Sequence, residues 1–118
     1  MEVHNYLGNG FQEIIYQRAL AYELTNEDIQ FIQEWKMNIY YKDLVNPIGS
    51  KKADFLIEKK VIVELKAVIL VEDSHLAQAI NHLEASRFEV GLLINFGSKK
   101  LQFRRLMLNN NQKKYKQN

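Results

Sequence analysis

The chain contains no cysteine and a single proline among its 118 residues. Without thiols, neither a disulfide nor a thiolate metal site is available, and a cytoplasmic setting is expected. No apolar stretch approaches the roughly 20 residues that span a bilayer, so no membrane association is expected. The opening Met1-Glu-Val-His-Asn-Tyr6 has neither the basic start nor the apolar run of a signal peptide, and no leader is expected. Excess charge of one sign is missing too: 16 Lys and Arg oppose 14 Asp and Glu. Three of the basic residues, Lys113, Lys114 and Lys116, fall in the last ten positions, leaving the rest of the chain with 13 basic residues against 14 acidic. That balance excludes a generic basic DNA binder, although Lys51/Lys52, Lys59/Lys60, Lys99/Lys100 and Arg104/Arg105 can touch phosphates if they gather round one cleft. Linkers and repeats are absent, and 47% hydrophobic content is enough for one core. One domain over residues 1–108 is expected, followed by a basic, polar, flexible tail over 109–118.

What is present concentrates between Lys52 and Ala67, which reads as two strands joined by a tight polar turn. Val61, Val63, Leu65 and Ala67 alternate with Ile62, Glu64 and Lys66, so a period of 2 puts both charges on one face beside an isoleucine. Two carboxylates held close repel unless a cation sits between them. Asp54 and Glu64 on facing strands therefore form an oxygen-ligand pair suited to Mg²⁺ or Mn²⁺. A Lys66 ammonium on the same face can orient a water or offset charge on a phosphate oxygen. The plainer alternative is an exposed Glu-Lys pair on an edge strand, worth little. The flanking residues look buried on both faces, which favours a site. Opposed residues of an antiparallel pair share a face, so the carboxylates converge only if the turn holds an odd number of residues. A three-residue turn, Glu58-Lys59-Lys60, sets Asp54 across from Glu64, without the Gly or Asn that a left-handed turn position favours.

The remaining pattern gives helix, three strands, helix, and one or two strands. A first helix opens at Asn9, with Gln12 answering the cap, and runs to Leu24 or Thr25. Phe11, Ile14, Ile15, Ala19 and Tyr22 make its main apolar stripe. Glu13 falls within about 20° of Leu20 and Leu24, on a second apolar stripe. It is either a charge favoured by the first helical turn or a third acid for the cleft. Residues 31–41 alternate as a strand, with Trp35, Met37, Ile39 and Tyr41 on one side. A second helix, capped by Asp73 or Ser74, runs to about Arg87 with Leu76, Ala79, Ile80 and Leu83 toward the core. His75, Gln78 and His82 line its polar side. Histidines two turns apart do not reach one ion, so no zinc site is expected. Gln78 is expected beside the carboxylates or on a substrate backbone, with His75 and His82 exposed or supporting. Residues 90–96 and 101–108 read as further strands. The two apolar stripes of the first helix leave one for a partner subunit to cover, as in a homodimer.

Gly10-Phe-Gln-Glu13-Ile-Ile-Tyr16 is a literal G-x-x-E-x-x-Y. Together with Ala53-Asp54, Val61-Ile-Val-Glu64-Leu-Lys66-Ala67, His75-Leu-Ala-Gln78 and Gly91-Leu-Leu-Ile-Asn-Phe96, it closely resembles the bacterial GxxExxY protein family, from about Leu7 to Arg105. That family looks like a small branch of the PD-(D/E)xK nuclease superfamily. The resemblance implies an α/β (α+β) fold of restriction-endonuclease-like type, an αβββαβ core with a mixed central sheet flanked by helices. It implies metal ligands at Glu13, Asp54 and Glu64, a further ligand from the Leu65 carbonyl, a catalytic lysine at Lys66, and a site glutamine at Gln78 opening a Q-x-x-x-Y motif. The implied activity is Mg²⁺- or Mn²⁺-dependent hydrolysis of DNA by metal-activated water, with DNA or another nucleic acid as partner. The alternative is a catalytically silent nuclease-like module that binds nucleic acid or oligomerises. This chain departs from the pattern with His82 where tyrosine is usual, Ala53 for proline, Lys52 for arginine and Asn9 for proline. None of these removes a ligand.

Overall fold

Five short runs of β-branched and apolar residues form one mixed sheet in the computed structural model, which describes residues 1–113. Helices α1 (Glu2–Leu7) and α2 (Glu13–Asn26) precede strands β1 (Phe31–Ile39), β2 (Gly49–Ile57) and β3 (Val61–Lys66). Helix α3 (Asp73–Ala85), β4 (Val90–Asn95), β5 (Gln102–Met107) and a 3₁₀ turn at Asn110–Gln112 follow. Strand order in the sheet is the order in the chain. Only β3 and β4 run parallel. A parallel step needs a crossover, and α3 supplies it.

The period-2 patterning sends alternate residues to two different cores. On one face Phe55, Val63, Leu65, Ile94 and Phe96 pack with Tyr16, Leu20 and Leu24 of α2. On the other, Met37, Ala53, Leu56 and Ile62 pack with Leu83 of α3. The alternation breaks once. Ala53 and Phe55 lie two residues apart yet in opposite cores, and the β1–β2 pairing skips the rung of Glu34 and Asp54, where Glu34 takes φ 53°. A left-handed residue inside a strand is costly for a side chain with a Cβ. It falls at the rung that carries Asp54.

Several elements differ from the sequence reading. Helix α1 was not foreseen, because six residues carry too little periodicity. Helix α2 begins at Glu13 rather than at Asn9, and Gln12 occupies the cap in an extended conformation. The buried stripe of α2 is Tyr16, Leu20 and Leu24, the one that contains Glu13, while Phe11, Ile14 and Tyr22 of the expected main stripe are exposed. Burial of Tyr16 and Gln17 decided the face; hydrophobicity alone ranked Phe11 and Ile14 above them. Strand β1 stops at Ile39, not residue 41. Helix α3 is capped by Glu72 and ends at Ala85. Within the expected tail, Lys113 Nζ donates to the carbonyls of Ser86 and Phe88 at 2.8 and 2.6 Å, and Asn110 Nδ2 donates to Arg87 O at 2.8 Å. Residues 109–113 are thus held against the α3–β4 connection. The rest of that tail, 114–118, lies outside the described residues.

Candidate functional site

The β2–β3 hairpin pairs Ile57 with Val61, Leu56 with Ile62 and Phe55 with Val63. Its turn is Glu58-Lys59-Lys60, and Glu58 and Lys59 adopt φ 55° and 52° without help from glycine. Carried one rung further, this register sets Asp54 against Glu64. There a side chain takes over from the ladder: Leu65 N donates to Asp54 Oδ2 at 2.7 Å. Gln17 Nε2 donates to Asp54 Oδ1 at 2.8 Å, and Gln33 Nε2 donates to Gln17 Oε1 at 2.7 Å. Gln33 thereby fixes which end of the Gln17 amide faces the acid. Both Asp54 oxygens are held in place.

Glu64 and Lys66, two residues apart on β3, meet His82 and Gln78, four residues apart on α3. One strand step of two and one helical turn have nearly the same length, so the two pairs stack as rungs. Glu64 Oε2 lies 2.6 Å from His82 Nδ1, with both residues buried. Lys66 Nζ donates to Gln78 Oε1 at 2.6 Å. His82 is thus neither exposed nor a free ligand; it holds one oxygen of Glu64. The other, Oε1, is buried with no hydrogen-bond partner. Burial pushes the Glu64 carboxyl above its usual range, against the opposing hydrogen bond from His82.

Glu13 opens α2 beside the same cluster. Burial of its carboxyl is the largest cause of a raised pKa; Lys66 opposes the rise, and Asp54 and Glu64 add to it. Those couplings put Glu13, Asp54, Glu64 and Lys66 in one electrostatic neighbourhood. His75 is tied locally, its Nδ1 accepting from Glu72 N at 2.9 Å. Among the described residues, no three His, Asp or Glu side chains stand in an arrangement that would itself hold a metal ion. The donor chemistry nonetheless fits a hard divalent cation: the candidates are oxygens, and an unpartnered buried carboxylate oxygen is costly unless a proton or a cation meets it.

Three supporting residues escaped the sequence reading as individuals. The Tyr16 hydroxyl donates to Gly8 O at 2.6 Å and accepts from Phe11 N at 3.1 Å, while its ring stacks on Phe96 at 4.6 Å. The last residue of G-x-x-E-x-x-Y therefore pins the backbone that delivers Glu13. Gln17 lies one turn after Glu13, and its signal was a polar residue within the stripe of Tyr16, Leu20 and Leu24. Asn95 is fully buried; its Oδ1 accepts from Val68 N and Gly97 N, and its Nδ2 donates to Val68 O and Gln102 Oε1. An amide inside the apolar run 91–96 was its signal. It clamps the chain as it leaves Lys66, and at Gly97 the backbone of Ala67 and Val68 leaves no room for a Cβ.

A protein-family profile described as the PD-(D/E)XK nuclease superfamily matches residues 1–106. No curated protein and no solved structure matches the chain.

Proposed function

Since the chain belongs to the PD-(D/E)XK nuclease superfamily and has the mixed sheet and flanking helices of a restriction-endonuclease-like fold, we propose that it is a metal-dependent deoxyribonuclease of the GxxExxY branch. The observation that carries this reading is the Asp54 carboxylate bonded to Leu65 N, next in the chain to Glu64, whose buried Oε1 has no hydrogen-bond partner. Glu13, Asp54, Glu64 and the Leu65 carbonyl would hold Mg²⁺ or Mn²⁺. When bound, such an ion supplies positive charge at the scissile phosphate and acidifies a water. Lys66 contributes a donor and a charge for the phosphoryl oxygens, and Gln78 sets the direction of its ammonium. Gln17 and His82 orient Asp54 and Glu64 through one oxygen each, leaving lone pairs for a cation.

The test is incubation of purified protein with plasmid, nicked, single-stranded and branched DNA in Mn²⁺. Cleavage is expected to fall by about 10²-fold or more in Lys66→Ala and in Glu64→Ala, the order seen when one charge-stabilising group is removed. Cleavage that survives both substitutions overturns the reading. A silent nucleic-acid-binding module is the second reading, favoured by the lack of a ready three-ligand arrangement among the described residues. It predicts that Mn²⁺ leaves the melting temperature unchanged, whereas a real site must raise it by linkage.

A further inference from the structure

Beside the acidic cluster runs a groove of about 630 Å³, between the polar face of α3 and the part of the β1–β2 hairpin that continues past Asp54. Ile39 and Lys51 line it from the hairpin, and Ser74, His75, Gln78 and Asn81 line it from α3. It shares Gln78 and His82 with the rungs described above. No carboxylate lines it, in a chain whose acidic and basic residues nearly balance.

Two side chains of the lining are turned to donate. Gln78 has its Oε1 occupied by the Lys66 ammonium, which leaves its NH₂ free to donate. His75 accepts at Nδ1 from the Glu72 backbone, so its neutral ring carries the proton on Nε2. Lys51, Ser74 and Asn81 add an ammonium, a hydroxyl and an amide, and all three residues are exposed. A row of groups able to donate, with one cation, Lys51, and no acid, fits successive phosphate oxygens of a polyanion. The volume lies within the range of pockets that take a single small ligand, about 300–1,000 Å³, which holds a few linked nucleotides of an extended strand and does not enclose a duplex. No Phe, Tyr or Trp lines the groove, so binding there would come mainly from phosphates rather than from bases stacked on large rings.

We propose that this groove is the track for single-stranded nucleic acid, leading the strand past Gln78 to the Lys66 end of the cluster. The proposal rests on the nuclease reading for the meaning of the cluster; the groove's own affinity is measured separately. Fluorescence anisotropy of the whole protein with a labelled oligothymidine strand, and with a duplex of equal length, is run in Ca²⁺. The single strand is expected to bind about tenfold tighter than the duplex. Lys51→Glu and Asn81→Asp are each expected to weaken it about fivefold or more, and Lys51→Glu to flatten the dependence of log affinity on log salt by about 0.7, the loss of one phosphate contact. Lys60→Glu, an equal charge change in the β2–β3 turn at the other end of the hairpin, is expected to leave affinity unchanged. Equal binding of the duplex, no binding of the single strand, or groove variants indistinguishable from the unmodified protein would each overturn the proposal. A missing Mn²⁺-induced rise in melting temperature would instead count against the nuclease reading, so the two failures are distinguishable.

Discussion

The two faces of β3 make opposite use of the same strand. Toward α2, Val63 and Leu65 join Tyr16, Leu20, Phe55 and Phe96 in an apolar core. Toward α3, Ile62 meets Leu83, and then the strand turns polar, with Glu64 on His82 and Lys66 on Gln78. Alternation lets six residues serve both purposes. The difference teaches where each property lives: the α2 face anchors the strand, and the α3 face carries groups whose burial is unfavourable by itself.

The widest separation between the faces is expected in stability. Phe96→Ala removes a fully buried ring stacked on Tyr16 and should cost about 3–5 kcal/mol in denaturant unfolding. Glu64→Gln in the metal-free protein should cost less, since the amide can keep a hydrogen bond to His82 Nδ1 while removing a carboxylate whose burial is unfavourable. Equal losses at the two positions would erase the distinction. A smaller effect is expected at His82. His82→Phe keeps an aromatic ring but frees Glu64 Oε2, and should weaken Mn²⁺ binding by about 10–100-fold, with His82→Asn recovering part of it. Unchanged Mn²⁺ affinity would make the pair a packing feature only.

The polar face should also respond to pH. Burial raises the Glu64 pKa, so the folded protein keeps that proton to higher pH than the unfolded chain, whose carboxyl ionises near about 4.3. The contribution of Glu64 to stability is therefore intact below that pH and lost as pH rises through the raised folded value. In chelator, the melting temperature of the unmodified protein relative to Glu64→Gln should fall across that window; an increasing difference would contradict the burial of Glu64. The smallest effect is expected at the hairpin turn. Lys59→Gly relieves a left-handed residue and should stabilise by about 0.5–1 kcal/mol without altering metal binding. Destabilisation there would mean that the turn, and with it the register, is held by something other than backbone geometry.

Much of this was legible in the sequence where one physical rule dominated. Alternation from Val61 to Ala67 gave β3 and its two faces, and parity asked for a turn of odd length, which Glu58-Lys59-Lys60 meets. The order of strands and helices followed from switches between periods of 2 and 3.6. The face of α2 was not legible, because Tyr16 and Gln17 are buried through partners remote in sequence: Phe96 for the tyrosine ring, Asp54 and Gln33 for the amide. The kink at Glu34 left no mark either, since nothing in a lone glutamate announces φ 53°. Gln78 and His82 shared a helix face in the sequence. Which acid or amine each would meet depended on how α3 lies against β3.

The proposed convergence of Asp54 and Glu64 on a divalent cation is open to calorimetric titration of the metal-free protein with Mn²⁺. Saturable binding is expected, which Asp54→Asn and Glu64→Gln each weaken strongly and Lys66→Ala leaves in place. No binding, or binding that survives both acid substitutions, would contradict it.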